Sequence, residues 1–272
     1  DFMADVVKSL GIEYIASNPG SSHRGFQESI VNHGGNRSPE WLTCLHEESS
    51  VAMGHGYAKI AYKPMAMACH STVGLQHASM AIYNAFCDRV PLIVFGGNHL
   101  DAADRRPGAE WSHAAQDPSK LVRDFIKWDD TPVSAQHFVE SMQRAYKIAT
   151  TPPMGPVVII LDGHLQEREL GNAPVIPDFT PTTPPQGEIG ALREAARLLV
   201  DAERPVILAD KMARTPAGMS RLVELAEALQ VPVVDRGGRM NFPNDHYLAQ
   251  AGRGGQLIRE ADVILGLEMF DF

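Results

Sequence analysis

The 272-residue sequence predicts an α/β protein with two units, the first built on a parallel sheet flanked by helices. Short, nearly continuous apolar segments alternate with helical stretches, a pattern typical of parallel strands covered on both faces. A proline-rich segment interrupts this alternation, which then resumes in a smaller α/β unit. The chain length also suits about two domains, each able to bury its own core.

The first unit is predicted to span residues 1–165. Its strands are the apolar, β-prone segments at residues 13–17, 41–46, 65–70, 91–97 and 155–162. Its helices are predicted between or beside these strands, at residues 23–33, 47–61, 74–87 and 134–149. Because helices follow most of the strands, we expect the strands to run parallel, with their carboxyl ends at one edge of the sheet.

Residues 166–187 are predicted to form a linker. The segment holds prolines at positions 174, 177, 181, 184 and 185, few aliphatic residues and no periodicity. Proline keeps such a segment extended and semi-rigid.

The second unit, residues 188–272, begins with a predicted helix and continues with a strand, a helix and two more strands, at residues 188–201, 204–210, 216–230, 231–236 and 261–268. Three strands make a thin domain whose last strand lies at the end of the sequence. We therefore expect this unit to be incomplete.

Composition excludes several classes of partner. The net charge is −9, and no basic stretch is present that could neutralise nucleic-acid phosphates. No apolar run approaches the roughly 18 residues of a membrane span, and the first residues lack the features of a secretory signal. The three cysteines match no metal-binding spacing, so we expect buried thiols in a reducing cytoplasm.

The segment SNPGSS (17–22) follows the first predicted strand. Asn18, Pro19 and Gly20 form a tight-turn sequence, and the serines after them can cap the next helix. A capped loop is one complete explanation. The alternative is a ligand site, because open α/β sheets bind ligands at the carboxyl ends of their strands. Ser21 would then offer its hydroxyl to a substrate.

Glu47 lies where a predicted strand ends and a predicted helix begins, within HEESS (46–50). A helix N-terminus favours a negative charge, and acid–base chemistry is often placed at such controlled positions. A zinc protease would need a second histidine four residues after His46, where the chain has Ser50. The remaining alternative is that Glu47 serves only the electrostatics of the helix start.

His70 ends the third predicted strand, and Ser71, Thr72 and Gly74 form a predicted loop before the next helix. A lone histidine at a strand end is often a hydrogen-bonded structural residue. Here the loops that carry Ser21, Glu47 and His70 all follow strands of one parallel sheet. Polar groups that converge on one edge favour a functional site.

The segment at residues 98–120 is long for a loop inside a compact domain, which is typical of a lid or pocket wall. Trp111, His113 and Gln116 are predicted to face inward, although a solvated surface loop is an equal alternative. The sequence contains no Gly-x-Gly-x-x-Gly, P-loop or Gly-x-Ser-x-Gly motif, so dinucleotide, P-loop nucleotide and hydrolase sites have no support.

Four segments, in this order along residues 11–162, resemble the thiamine-diphosphate-dependent enzymes of the acetolactate synthase and 2-keto-acid decarboxylase group. They are NPGSS (18–22), LHEESSVAMGHGYAK (45–59), MACHSTVGLQHASMAIYNAFCDRVPLIVFGGN (67–98) and LVRDFIKWDDTP (121–132). The pairing of Asn18-Pro19-Gly20-Ser21 with His70-Ser71 is most similar to the benzoylformate decarboxylase branch. Synthases usually carry Ser-Gly-Pro-Gly where this chain has Ser-Thr-Val-Gly at 71–74.

The resemblance implies that the first unit is a pyrimidine-binding domain and the second a truncated, Rossmann-like central domain. The family's diphosphate-binding domain, with the residues that hold Mg²⁺, is not in the sequence, so no metal ligand is expected in this chain. Glu47 would bind the aminopyrimidine ring of the cofactor, His70 would donate and accept protons, and Ser21 would bind the substrate. Cofactor contacts are expected from Glu47 and from Asn18, Pro19, Gly20 and Thr72.

The activity implied is decarboxylation of a 2-keto acid to an aldehyde by thiamine diphosphate, with Mg²⁺, in a longer protein. Two alternatives remain open: carboligation of the acetolactate synthase type, and a catalytically incomplete subunit or fragment. The resemblance also implies a homodimer or homotetramer with the active site between subunits.

Overall fold

A computed structural model describes residues 1–271, which divide into two compact units, Asp1–Thr182 and the residues from Thr183 onward. This division falls within the segment predicted to be a linker. The first half of that segment lies against the first unit, because Ile176 and Phe179 pack on its hydrophobic core.

The first unit contains one sheet of six parallel strands in the order β2-β1-β3-β4-β6-β5. The strands are β1 (Tyr14–Ser17), β2 (Glu40–Thr43), β3 (Met65–Cys69), β4 (Leu92–Asn98), β5 (Trp128–Asp130) and β6 (Pro156–Asp162). The apolar strands β3 and β4 lie at the centre and are buried throughout. The predicted fold class, a parallel sheet flanked by helices, is confirmed. The short β5, which has no apolar run, is not among the predicted strands.

Helices cover both faces of this sheet. They are α1 (Phe2–Ser9), α2 (Arg24–Glu28), α3 (Glu47–Ala61), α4 (Ser71–Cys87), α5 (Ala109–His113), α6 (Ala135–Thr150) and α7 (Gly163–Glu167). One hydrophobic core lies between the sheet and α1 and α6, and the other between the sheet and α3 and α4. α4 begins three residues earlier than predicted, so no loop separates His70 from the helix.

The second unit has three parallel strands in the order β8-β7-β9, namely β7 (Pro205–Ala209), β8 (Val233–Asp235) and β9 (Val263–Leu267). Its helices are α8 (Ile189–Asp201), α9 (Pro216–Leu229) and α10 (Gly254–Glu260). The predicted strands are present, while α10 falls in a glycine-rich stretch for which no helix is predicted. In the part of the chain that the structure describes, no helix is long and apolar enough to cross a membrane.

The register of the central strands sets the position of the site. Ser17, the last residue of β1, is opposite Ala68 of β3, and Cys69 of β3 is opposite Gly96 of β4. The segments that follow these three strands therefore leave the sheet at nearly the same level. Since the strands are parallel, their loops gather at one carboxyl edge, where α3 also begins.

Candidate active site

Glu47 is the first residue of α3, and only 2% of its surface is exposed. Its carboxylate oxygen Oε2 accepts a hydrogen bond from the side-chain amide of Asn18, with an N···O distance of 3.1 Å. A buried carboxylate needs such a donor, and the N-terminus of α3 supplies a favourable dipole. The structure thus joins Glu47 to the Asn-Pro-Gly loop, as the positions of both after strands predict.

The other carboxylate oxygen of Glu47 faces the first turn of α4. A methyl group placed on Gly74 would lie 2.9 Å from this oxygen and 2.9 Å from the backbone carbonyl carbon of Cys69. Glycine at position 74 therefore permits the helix to approach the carboxylate. Burial, together with the charge of Glu47, raises the pKa of the Cys69 thiol, so this cysteine remains protonated and unreactive.

Two histidines flank Glu47 on its exposed side. His77 Nδ1 lies 3.6 Å from Glu47 Oε2, and the His77 and His46 rings are stacked with their centroids 4.7 Å apart. One nitrogen of each ring and a carboxylate oxygen of Glu47 lie within 4.8 Å of one another, which is close enough for the three residues to coordinate a metal ion. His46 Nδ1, however, already accepts the backbone N–H of Glu48, which caps α3. The sequence predicts neither this cluster nor a role for His77.

His70 lies between two polar side chains from other loops. Its Nδ1 is 2.8 Å from the hydroxyl of Ser22, and its Nε2 is 3.0 Å from Nδ1 of His113. Burial is the main cause that lowers the pKa of His70, and the nearby His113 lowers it further while Glu47 opposes this. An imidazole held by two hydrogen-bonding partners can accept a proton on one ring nitrogen and release one from the other.

Gly20 packs flat against His70. A methyl group on Gly20 would lie 2.5–2.6 Å from the His70 Cβ, Cγ and Nδ1 atoms. Real side-chain contacts are longer than this, so any other residue at position 20 would displace the imidazole. The glycine in the Asn-Pro-Gly loop thus serves the position of His70, while the adjacent Pro19 is exposed.

The two serines of this loop have different surroundings. Ser21, the predicted substrate-binding residue, is exposed at the edge of the sheet, whereas Ser22 is buried and contacts His70. The next residue, His23, is fully buried, and its Nε2 accepts the backbone N–H of Gly20. Burial, and secondarily the proximity of His70, lower the pKa of His23 to about 4.

The long segment after β4 reaches the site through His113. The backbone carbonyl of His113 accepts hydrogen bonds from the hydroxyls of Ser71 and Thr72, the latter at 2.8 Å. The structure therefore brings His113 to His70, but it does not turn the other two predicted pocket residues inward. Trp111 is 55% exposed and lies beneath the Arg105 guanidinium, and Gln116 is exposed.

Comparison with known proteins identifies the family. Residues 1–119 match the family model for the N-terminal TPP binding domain of thiamine pyrophosphate enzymes, and residues 192–268 match the model for their central domain. These two matches cover most of the chain. The chain belongs to the thiamine pyrophosphate enzyme family. Thiamine pyrophosphate and thiamine diphosphate are the same compound, so the predicted family is confirmed.

Family members of different activity match the chain about equally well. The acetolactate synthase large subunit of Haemophilus influenzae is 26% identical over 96% of the chain and 47% of its own length. The benzoylformate decarboxylase of Pseudomonas aeruginosa is 24% identical over 89% of the chain and 45% of its own length. The chain thus spans about half the length of these relatives. The family contains both decarboxylases and synthases, and the similar sequence identities to the two do not indicate which activity this chain belongs to.

Solved structures of the family have the same fold. A benzoylformate decarboxylase from Polynucleobacter necessarius covers 97% of the chain with a TM-score of 0.83 and 22% identity. A putative thiamin diphosphate-dependent enzyme from Mycobacterium smegmatis covers 98% with a TM-score of 0.81 and 22% identity. The chain covers 50% and 51% of those chains.

The residues at the sheet edge fit the aminopyrimidine end of thiamine pyrophosphate. A heterocycle with a protonated ring nitrogen needs a hydrogen-bond acceptor, and the buried Glu47 carboxylate provides one at a fixed position. Asn18 and Gly74 define two sides of this carboxylate, and neither brings a second charge to it. The buried carboxylate therefore offers a hydrogen-bond acceptor that suits a polar, aromatic ring.

Proposed function

We propose that the intact protein containing this chain uses thiamine pyrophosphate to decarboxylate a 2-keto acid to an aldehyde. One observation carries the proposal: a buried carboxylate, Glu47, is held at the carboxyl edge of the sheet close to the loop that positions His70. Bound thiamine pyrophosphate supplies a ring that accepts the electrons released when a 2-keto acid loses carbon dioxide. The remaining chemistry is proton transfer and orientation by side chains.

Glu47 would hold the aminopyrimidine ring of the cofactor through a hydrogen bond to its carboxylate. Asn18 donates a hydrogen bond to Oε2, so the carboxylate keeps one orientation towards a bound ring. Exclusion of water matters here because electrostatic interactions are stronger in a dry environment. Pro19, Gly20 and Thr72 are proposed to shape the cofactor site, since they border the same edge.

His70 is the proposed proton donor and acceptor for the reacting carbonyl group. Ser21, which is exposed at the edge, is proposed to bind the substrate carboxylate, and Ser22 is proposed to orient the imidazole from the buried side. His113, Trp111 and Gln116 are proposed to line the substrate pocket.

A second subunit is expected to complete the site. Large apolar side chains on and beside α3 and α4 are exposed, among them Leu45 at 96%, Met80 at 58% and Tyr83 at 46%. Such exposure on neighbouring helices favours a protein partner. We propose a homodimer or homotetramer in which the part of the protein outside this chain holds the diphosphate and Mg²⁺. The three cysteines of this chain are free thiols, and we propose that the protein works in the reducing cytoplasm.

A panel of aryl and alkyl 2-keto acids tests the proposal in the intact protein with thiamine pyrophosphate and Mg²⁺. We expect stoichiometric release of carbon dioxide and the matching aldehyde. Carbon dioxide release with a hydroxyketone product would instead support the second candidate, carboligation, which the similarity to acetolactate synthase and to glyoxylate carboligase favours. Binding of the cofactor with no turnover of any member would contradict both activities.

A further inference from the structure

Three side chains from separate loops form one continuous hydrogen-bonded chain at the sheet edge. Ser22 follows β1, His70 follows β3 and His113 follows β4, and the two contacts are 2.8 Å and 3.0 Å long. We propose that His70 and His113 share one exchangeable proton as a unit, in which His113 is a positioning residue that sets the tautomer and charge of His70. The inference rests on the proposed function, because it assigns His70 a proton to move.

The hydrogen-bond pattern permits two neutral arrangements. In one, Ser22 donates to His70 Nδ1 and His70 Nε2–H donates to His113 Nδ1. In the other, His113 Nδ1–H donates to His70 Nε2 and His70 Nδ1–H donates to Ser22. A proton taken up at one end and released at the other converts one arrangement into the other. A relay of this kind moves a proton without leaving a charge on His70.

Hydrogen bonds hold the backbone at and near His113 in place, and they thereby position its side chain next to His70. Two hydroxyls of α4 donate to its carbonyl, and two residues later the amide of Asn98 makes a donor and an acceptor bond with Ala115. Ser71, one of the two donors, has a φ of 43° in the left-handed region, although it is not glycine. Such backbone strain is typical of functional sites.

The charges around the pair allow it only one extra proton. Two imidazolium rings at 3.0 Å would repel strongly, so the second ring resists protonation once the first is charged. The titratable groups that face His70 from the adjoining elements are His23, His99 and Glu47. The carboxylate favours a charge on His70 and the histidines oppose it.

Two variants separate the charge of His113 from its hydrogen bond. His113→Gln retains a hydrogen-bonding side chain without a titrating group, and His113→Leu removes both. The control is His33→Gln, which changes an exposed histidine paired with Asp5 far from this edge. The first readout is the imidazole nitrogen titration of His70 by NMR in the intact protein. The second is the pH dependence of kcat for the best 2-keto acid.

We expect both His113 variants to raise the pKa of His70, because a positive charge on residue 113 can no longer oppose protonation of His70. The acid limb of the kcat–pH profile should move to higher pH by the same amount. His113→Gln should retain more activity than His113→Leu, because glutamine keeps a hydrogen-bonding side chain. Unchanged titration of His70 in both variants would overturn the inference. The NMR readout needs no turnover, so an altered titration in a protein that turns over no 2-keto acid would contradict only the proposed function.

Discussion

Two parts of the sheet edge each position a titratable side chain, but they do so by different contacts. The carboxylate corner consists of Glu47, Asn18, Gly74 and His77, and the histidine corner consists of Ser22, His23, His70 and His113. Glu47 is placed by the start of its own helix and has one amide donor. His70 depends on hydrogen bonds to two other segments, through Ser22 and His113, which are 48 and 43 positions away in the chain.

The two corners therefore differ in what positions the titratable group, which is helix packing for Glu47 and side-chain hydrogen bonds for His70. The carboxylate corner is rigid because α3 and α4 pack tightly, so its geometry should respond mainly to changes of volume. The histidine corner is a hydrogen-bonded network of imidazoles, so it should respond to pH and to the position of the long loop. The predictions below test this contrast, beginning with the largest expected effect.

Gly74→Ala should displace the Glu47 carboxylate. The added methyl group would lie 2.9 Å from Glu47 Oε1 and 2.9 Å from backbone, so the carboxylate must move. We expect kcat to fall about 10²-fold, as for a misplacement of about 1 Å, and the free energy of unfolding to fall by about 1–3 kcal/mol. Steady-state kinetics and urea denaturation of the intact protein measure both effects.

Gly56→Ala is the matched control, because it adds the same methyl group within α3, where nothing lies within 4 Å. It should stabilise the protein by about 0.5–1 kcal/mol and leave kcat nearly unchanged. Equal losses of kcat in the two variants would show that the helix pair tolerates no added volume anywhere, and that the carboxylate contact is not the cause.

Acid should destabilise the histidine corner. The pKa of His23 is lowered to about 4, so the unfolded chain, with a histidine pKa near 6.5, takes up this proton first as the pH falls. Stability is therefore full above about pH 6.5 and is lost as the pH falls towards 4, by about 3 kcal/mol from this group. Urea denaturation at pH 7 and pH 4.5 measures the loss.

His23→Gln removes this titration while it leaves an acceptor for the Gly20 N–H. The pKa values of His70 and His99 are also lowered, but both remain in the variant, so the difference between the two proteins isolates His23. A variant with the same pH slope as the wild type would show that His23 is not buried in its neutral form.

Gly20→Ala should have the smallest effect of the three, about tenfold on kcat, because an imidazole held by two hydrogen bonds can shift and partly re-form them. Thiamine pyrophosphate affinity should fall by less than kcat does, because the atoms nearest to the added methyl group belong to His70, although Gly20 also borders the proposed cofactor site. Calorimetry and kinetics on the same preparation separate the two quantities. A large loss of affinity with unchanged kcat would reverse the roles assigned to the two corners.

The sequence predicts the carboxylate corner better than the histidine corner, for a physical reason. Glu47 and Asn18 each follow a strand, so their meeting follows from the order of a parallel sheet. The contact between His70 and His113 depends on the path of a long loop, for which no local pattern exists. Ser22 and Ser21 are adjacent in sequence, and only the turn geometry decides which one faces the imidazole.

The fold shows the same limit. The apolar strands and most helices are predicted because burial dictates their residues, and the fold class is confirmed. The strand β5 (Trp128–Asp130) is too short and polar for an apolar pattern. The early start of α4 depends on Ser71, whose left-handed backbone no sequence rule predicts. The packing of Ile176 and Phe179 on the first unit is likewise a tertiary effect within a proline-rich segment.

The exchange rate of the C2 proton of bound thiamine pyrophosphate tests the central claim most directly, because it reports cofactor activation before any substrate binds. In the intact protein we predict that Glu47→Gln slows this exchange about 10²–10⁴-fold, the usual range for loss of acid–base help. Glu48→Gln, which alters the exposed neighbour, should leave it unchanged. Exchange in Glu47→Gln within tenfold of the wild-type rate, at equal cofactor occupancy, would contradict the account.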